Sequence, residues 1–182
     1  FPAAILQAPF YSLEQSSSAN YGGIGAVIAH EISHAFDSNG ASFDEYGSLN
    51  NWWTEEDYTA FESRTQQVID QFEGQDSYGA KINGKLTVSE NIADLGGIAA
   101  ALEAAKSEED FSAEEFFTNF ARIWRMKARP EFMQMLASVD VHAPGHLRTN
   151  IQLPNFDEFH ETFGVQEGDG MWRAKEDRVI IW

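Results

Sequence analysis

The spacing of apolar residues along the chain predicts a mostly helical protein. From Ala26 to Phe36 the apolar side chains recur at helical rather than alternating intervals. The turn-forming residues 37–40 are expected to end this helix. Thr54 and Ser112 each precede an acidic residue by three positions, which is the capping-box pattern that begins a helix. These patterns predict helices over residues 26–36, 54–72, 89–106, 112–127, 130–138 and 156–163.

Little β structure is expected. Residues 1–15 are predicted to be extended, because their prolines disfavour a helix. An Asn-Gly pair within residues 81–86 is a favoured two-residue turn, so a short hairpin is predicted there. The serine-rich residues 16–18 and residues 139–153 are interpreted as loops. No repeat, linker or low-complexity tract interrupts these elements, so the sequence predicts one mainly α domain over residues 1–182.

Composition narrows the class of protein and of partner. The 182 residues, 43% of them hydrophobic, are enough for one domain with a sizeable core. No apolar run approaches the roughly 18 residues that a membrane helix needs. With 29 acidic and 12 basic residues the net charge is −17, which would repel a phosphate backbone and argues against nucleic acid as a partner. Because cysteine is absent, a metal ion would have to be bound by His, Asp or Glu.

The segment His-Glu-Ile-Ser-His at residues 30–34 fits the H-E-x-x-H pattern. Residues four apart share a helix face, so the imidazoles of His30 and His34 can reach one ion. Zinc accepts nitrogen and oxygen ligands and keeps one position open. Glu31 could take a proton from a water molecule that the ion activates. A chance pentapeptide is the alternative, but the helix also has an apolar surface suited to core packing. That surface consists of Val27, Ile28, Ile32 and Phe36.

Three versions of the motif differ in their third ligand. A third histidine would require Gly at position 37 and His at position 40, but the chain has Asp37 and Gly40. In a thermolysin-like version a glutamate would follow about twenty residues later, where Glu55 and Glu56 stand. Both lie in the first turn of a predicted helix, where the helix dipole already explains acidic side chains.

The remaining version places the third ligand at Glu90, four residues before Asp94. On a helix these carboxylates share one face and repel each other by a few tenths of a kcal/mol, a cost that a bound cation would remove. Both acids could instead simply favour the helix N-terminus. Given the H-E-x-x-H pattern, we predict one zinc ion bound by His30, His34 and Glu90. Asp94 is then expected to orient one of the histidines.

At these residues the chain resembles the neprilysin family of zinc endopeptidases, which includes bacterial endopeptidase O. The resemblance is carried by motifs spread over essentially the whole chain, beyond the H-E-x-x-H segment itself. These motifs lie at residues 1–7, 51–54, 90–97, 129–131 and 141–145, and at Trp182.

The resemblance implies a fold, a place in a larger protein and two further site residues. It implies a gluzincin-type helical metallopeptidase domain, with this chain as the C-terminal catalytic portion and the family's N-terminal region absent. It implies that His142 stabilises the oxyanion of the tetrahedral intermediate and that Arg148 contacts the substrate backbone. His146 and His160 match no functional position. The family's extracellular animal members carry many cysteines, whereas this chain has none. This difference suggests a bacterial protein in the cytoplasm, with secretion as the alternative.

The predicted function is therefore hydrolysis of internal peptide bonds in oligopeptides by a metal-activated water, with Glu31 as the general base. The alternative is a zinc-binding module without catalysis, either a pseudoenzyme or a fragment that is inert on its own.

Overall fold

Eight α-helices, five short 3-10 helices, one π-helical turn and one short hairpin make up the secondary structure of the computed structural model, which describes all residues from Phe1 to Trp182. The mainly α class predicted from the sequence is confirmed. None of the helices combines the length and apolar character needed to cross a membrane. The two antiparallel strands are β1 (Asp76–Ser77) and β2 (Ala80–Lys81). The helices are α1 (Ser17–Asn20), α2 (Ala26–Ser33), α3 (Glu55–Phe72), α4 (Gly84–Lys106), α5 (Ala113–Ile123), α6 (Pro130–Val139), α7 (Gly145–Asn150) and α8 (Asp157–Phe163).

Helix α4 is the centre of the domain because it contributes to both apolar clusters of the core. Its first half packs Ile92 and Leu95 against α3 and the end of the chain. Its second half packs Ile98 and Leu102 against the phenylalanines of α5. Residues 91–98 of α4 are all buried, so this helix is enclosed on every side where it passes the middle of the fold.

Helix α2 lies directly against α4, and two glycines of α4 make this approach possible. A Cβ atom at Gly97 would lie 2.7 Å from the backbone nitrogen of His30, and one at Gly96 would lie 2.7 Å from the Ser33 hydroxyl oxygen. Side chains at these positions would force the helices apart. The sequence Gly-Gly therefore sets how close the His-containing helix comes to α4.

The prediction that the larger apolar side chains of α2 pack against the core is wrong. Its buried residues are Ala26, His30 and Ser33, which face α4. Ile28 and Ile32 are exposed, as is Phe36 beyond the helix. The close contact at the glycines of α4 admits only small or polar side chains from α2, so the larger apolar ones turn outward.

The helical segment that contains α2 begins earlier than expected. The serine-rich residues 16–18 were predicted to form a loop, but the Ser16 hydroxyl accepts a hydrogen bond from the Ala19 amide at 3.2 Å and begins α1. A π-helical turn, Tyr21–Gly25, then joins α1 to α2. A Cβ atom at Gly22 would lie 2.1 Å from a backbone oxygen of α5, so the turn packs closely on that helix.

The hairpin is present, but it turns at different residues from those predicted. Its turn is formed by Tyr78 and Gly79, both with positive φ. The Asn83 side chain instead accepts the Leu86 amide at 3.1 Å and caps α4, which therefore begins before the predicted residue 89. Gly84 is required there, since a Cβ atom would lie 2.4 Å from a backbone oxygen of α3.

The other helix boundaries agree with the prediction at some positions and differ from it at others. The starts of α3, α5 and α6 and the end of α8 at Gly164, with φ of 60°, are as predicted. Residues 1–15 contain a short 3-10 turn and no strand, so the expected β structure at the N-terminal segment is wrong. Residues 139–153, expected to be a loop, include α7.

Candidate metal centre

Three predicted ligand atoms come together, from α2, from the 3-10 turn that follows it and from α4. The Nε2 atoms of His30 and His34 lie 3.1 Å apart. The Oε2 atom of Glu90, on α4, lies 3.2 Å from the first nitrogen and 3.5 Å from the second. These three residues are the one group of three or more His, Asp or Glu side chains whose ligand atoms all lie within 4.8 Å of one another.

Hydrogen bonds fix the orientation of both imidazoles. The Nδ1 atom of His30 lies 2.8 Å from Asp94 Oδ1, and that of His34 lies 2.7 Å from Asp37 Oδ2. Because an ionised carboxylate only accepts hydrogen bonds, each Nδ1 must donate. In a neutral imidazole the lone pair is then on Nε2, the atom that faces Glu90.

The arrangement calls for positive charge at the point where these atoms meet. Glu90 Oε2 is buried, and no hydrogen bond satisfies it. Burial alone would raise the pKa of the Glu90 carboxyl, but the adjacent imidazoles of His142 and His30 hold it below its usual value. Burial favours neutral His30, yet its hydrogen bond to Asp94 and the nearby Glu90 carboxylate raise its pKa to about 9. Either protons or a metal ion must compensate these converging acceptors.

The spacing of the three atoms fits a tetrahedral ion. Zinc bonds of about 2.0–2.1 Å place neighbouring ligands about 3.3 Å apart at the tetrahedral angle. The observed separations of 3.1, 3.2 and 3.5 Å lie around that value. The donor set of two imidazoles and one carboxylate therefore fits a metal ion that keeps a further position open.

Arg148 lies behind the ligands rather than among them. Its Nε donates to Asp94 Oδ2 at 2.8 Å and its Nη2 donates to Asp94 Oδ1 at 2.6 Å. The guanidinium carbon also lies 3.6 Å above the centre of the Trp124 ring. Asp94, fully buried, thus accepts from both His30 and Arg148, and these contacts hold its pKa below its usual value although burial works in the opposite direction.

His142 lies at the edge of the same centre, on the loop between α6 and α7. Its Nε2 is 3.2 Å from Glu90 Oε2, and its side chain is 45% exposed. Asp140 Oδ1 accepts from both the backbone amide and Nδ1 of His142, each at 2.9 Å. The neighbouring Glu90 carboxylate raises the pKa of His142 although partial burial opposes this, and Asp140 adds to the rise.

The remaining candidates occupy different surroundings. Glu31 is exposed on α2 beside His30 and makes no hydrogen bond or ion pair. Glu55 and Glu56 lie in the first turn of α3 and do not join the ligand group. Of the two unassigned histidines, His146 packs edge-on against a tyrosine ring, and His160 is buried and donates to a backbone carbonyl.

Two acidic residues of this centre were not predicted. From the sequence, Asp37 is a turn former at the end of the zinc motif with no role in the site, and Asp140 falls in a predicted loop. Both could be found from their sequence distance to a candidate histidine, because Asp37 follows His34 by three positions and Asp140 precedes His142 by two. An acidic residue this close to a candidate histidine is within reach of its Nδ1 atom.

Comparison with known proteins places the chain in a family. The sequence model of peptidase family M13 matches residues 1–179, and the chain belongs to that family, as the motifs predicted. The chain is 64% identical over 182 residues to a neutral endopeptidase of Lactococcus lactis subsp. lactis, covering 100% of the chain and 29% of that protein.

Two solved structures share the fold. The structure of PEPO from Lactobacillus rhamnosis HN001 is 48% identical, with a TM-score of 0.95, and matches 100% of this chain and 29% of its own length. The Mycobacterium tuberculosis zinc metalloprotease ZMP1, in complex with an inhibitor, is 40% identical with a TM-score of 0.91, and matches 100% of this chain and 30% of its own length. The chain therefore spans less than a third of the length of these relatives.

Proposed function

We propose that the protein containing this chain is a zinc-dependent endopeptidase that hydrolyses internal peptide bonds of oligopeptides. The observation that carries the proposal is the convergence of His30 Nε2, His34 Nε2 and Glu90 Oε2, with Glu31 next to the first ligand on the same helix. The relatives named above as a neutral endopeptidase and a zinc metalloprotease support the same class of activity.

The proposed metal is one zinc ion per chain. His30, His34 and Glu90 would hold it, because two neutral imidazoles and a carboxylate suit zinc and leave a position open for the reaction. When bound, zinc supplies Lewis acidity, which polarises a carbonyl group and makes water a nucleophile at neutral pH.

Glu31 is the proposed general base. Its carboxylate is exposed and makes no other contact, so it is free to accept a proton from the attacking water and to pass it to the leaving amine. The contrast with Glu90 supports the division of roles, since Glu90 Oε2 is enclosed by the imidazoles of His30 and His142, whereas the Glu31 carboxylate is exposed.

His142 and Arg148 are the proposed substrate-facing groups. His142 lies at the edge of the ligand group, with Nε2 3.2 Å from Glu90 Oε2, so its imidazole is placed to donate a hydrogen bond to an oxyanion that develops there. Arg148 uses Nε and Nη2 for Asp94, and its Nη1 makes no hydrogen bond. That remaining donor is the one that would contact a substrate carbonyl.

We also propose that residues 1–182 form the C-terminal catalytic portion of a larger peptidase. The chain covers 29% of the length of its Lactococcus lactis relative, so most of such a protein lies outside this part. The exposed Ile28 and Ile32 on α2 would be covered by that remainder. A bacterial cytoplasmic location is proposed from the sequence alone.

The test compares Glu31→Gln with Glu90→Gln in the full-length protein. We expect Glu31→Gln to keep one zinc per chain while kcat on a short peptide falls by about 10²–10⁴-fold, whereas Glu90→Gln should lose zinc as well. Metal analysis and a peptide-cleavage assay measure the two effects separately. Normal turnover by zinc-loaded Glu31→Gln would contradict the general-base role. A wild-type protein that holds zinc but cleaves no peptide would establish the binding-only alternative instead.

A further inference from the structure

We propose that Asp37 is a positioning residue that holds His34 with its Nε2 lone pair towards the metal. This inference rests on the proposed zinc site and adds a residue to it. The contact that carries it joins His34 Nδ1 to Asp37 Oδ2 at 2.7 Å. Asp37 does not reach the cluster of ligand atoms, so its effect is exerted through the imidazole alone.

His34 needs such support because it lies beyond the regular part of its helix. Helix α2 ends at Ser33, and His34 begins a 3-10 turn that reaches Phe36. The backbone then becomes extended at Asp37. The His34 side chain is 29% exposed, compared with 7% for His30, so packing confines its ring less.

The carboxylate of Asp37 is itself held rigidly. It is buried, and its Oδ1 accepts hydrogen bonds from the backbone amides of Asn39 and Gly40, each at 2.7 Å. With Oδ1 fixed by the backbone, Oδ2 is left in one place to accept from His34. No lysine or arginine pairs with Asp37, in contrast to Asp94, which shares its charge with Arg148.

The turn at residues 37–40 also connects His34 to the third ligand. A Cβ atom at Gly40 would lie 1.9 Å from the backbone oxygen of His34, so the turn folds directly back onto that residue. The side-chain Nδ2 of Asn39 then donates a hydrogen bond to the hydroxyl of Ser89 at 3.0 Å. Ser89 immediately precedes Glu90 on α4. A single short segment therefore links the residues that carry two of the three ligand atoms.

Two substitutions separate the contact with His34 from the support of the turn. In Asp37→Asn the amide oxygen can still accept from the turn amides, but its NH2 group then faces His34 Nδ1. That donor favours the tautomer with hydrogen on Nε2, the atom needed for the metal. In Asp37→Ser the hydroxyl can support the turn but is too short to reach the imidazole.

Asp44 offers a matched control. It accepts the backbone amides of Tyr46 and Ser48 at 3.0 and 2.9 Å, so it supports a turn as Asp37 does, but it touches no histidine. Asp44→Asn should therefore reproduce any general effect of replacing a turn aspartate without disturbing a metal ligand.

The experiment measures zinc affinity in the full-length protein by competition with a chromophoric chelator, together with the visible absorption of the cobalt-substituted protein. We expect the zinc Kd to rise by about 100-fold in Asp37→Asn and about 10-fold in Asp37→Ser, the range found for partners of metal-bound histidines. The cobalt spectrum should change in both variants, while Asp44→Asn should match the wild type in both measurements.

A second readout does not depend on metal. The 15N shifts of the His34 imidazole in the metal-free protein should show hydrogen on Nδ1 in the wild type and on Nε2 in Asp37→Asn. Wild-type zinc affinity and cobalt spectrum in both folded Asp37 variants would overturn the proposal, as would an equal loss of affinity in Asp44→Asn. If Asp37→Asn does not fold, the zinc affinity and cobalt spectrum of Asp37→Ser and the His34 tautomer of the wild type still test the proposal. A protein that binds zinc normally but cleaves no peptide would refute the proposed activity and leave this inference standing.

Discussion

Arg148 and Asp94 form a buried, doubly hydrogen-bonded ion pair directly behind His30, the first candidate metal ligand. The two bonds measure 2.8 and 2.6 Å, and the exposed fraction of the side chains is 9% for Arg148 and 3% for Asp94. The Asp94 Oδ1 atom that accepts the hydrogen bond from Arg148 Nη2 also accepts one from Nδ1 of His30. Through Asp94, the His30 imidazole on α2 is thus linked to the Arg148 cation on α7, which connects the candidate metal centre to the stability of the fold.

Replacing Arg148 with Met should destabilise the protein by about 3–5 kcal/mol, because Asp94 would remain buried without its cation. Urea denaturation of the full-length protein measures the change in the free energy of unfolding. The matched control is Lys81→Met, which removes an ion pair with Asp76 in which both side chains are more than half exposed. An exposed pair contributes about 0–1 kcal/mol. Equal effects of the two substitutions would contradict the importance of burial at Arg148.

The parts of this structure that follow local rules could be predicted from the sequence. The helix starts at Thr54 and Ser112 are as predicted, because the hydroxyl of each caps an amide only three residues away. The approach of His30 and His34 is equally local, since four residues on a helix bring two side chains to one face. The signal for Glu90 is weaker, because it consists only of the spacing from Asp94; in the structure its Oε2 lies within the group of three candidate ligand atoms.

What the sequence could not provide depends on contacts between distant elements. The Asn83-Gly84 pair is a favoured hairpin turn, but Gly84 lies against α3, and this contact makes the pair a helix start instead. Likewise, the periodicity of α2 indicates a helix but not which face is buried. The two glycines of α4 decide that, and Ile28 and Ile32 are left exposed as a result.

Replacing Gly97 with Ala should weaken both the fold and the metal site. Alanine favours a helix over glycine by about 1 kcal/mol, so local propensity predicts stabilisation. The added Cβ would, however, lie 2.7 Å from the backbone nitrogen of His30 and 2.9 Å from the backbone oxygen of Ala26. Backbone atoms of α2 would have to move, which we expect to cost about 1–3 kcal/mol overall and to raise the zinc Kd.

Gly170→Ala is the control for this substitution, since no atom lies within 4 Å of the position of its Cβ. Denaturation curves and chelator competition are measured for both variants. A Gly97→Ala protein that is more stable than the wild type and binds zinc equally well would show that α2 and α4 can separate without loss.

Replacing His142 with Gln should lower kcat without releasing zinc. Its Nε2 is near Glu90 but His142 does not belong to the group of three ligands. Losing one donor to an oxyanion typically lowers kcat by about 10²–10³-fold. Steady-state kinetics on a short peptide, with metal content measured on the same sample, should show a loss in kcat with KM little changed.

His146→Gln is the matched control for that experiment, because His146 lies only four residues further along and contacts a tyrosine instead of the metal centre. Its kinetics should equal those of the wild type. Loss of zinc from His142→Gln would contradict the proposed role and indicate that His142 binds the metal.

The ion pair between Glu158 on α8 and Lys106 at the end of α4 should make stability depend on pH. Burial alone would raise the pKa of the Glu158 carboxyl, but the Lys106 ammonium holds it below its usual value. A carboxyl whose pKa is lower in the folded state stabilises the protein above its unfolded pKa of about 4.3 and loses this effect as the pH falls. Glu158→Gln should therefore cost up to about 1 kcal/mol at pH 7, because the pair is about a third exposed, and distinctly less near pH 3. Urea denaturation at both pH values tests this, with the exposed Glu161→Gln as a control that should show no such difference. A cost for Glu158→Gln that is the same at both pH values would mean that the carboxylate contributes through packing rather than through its charge.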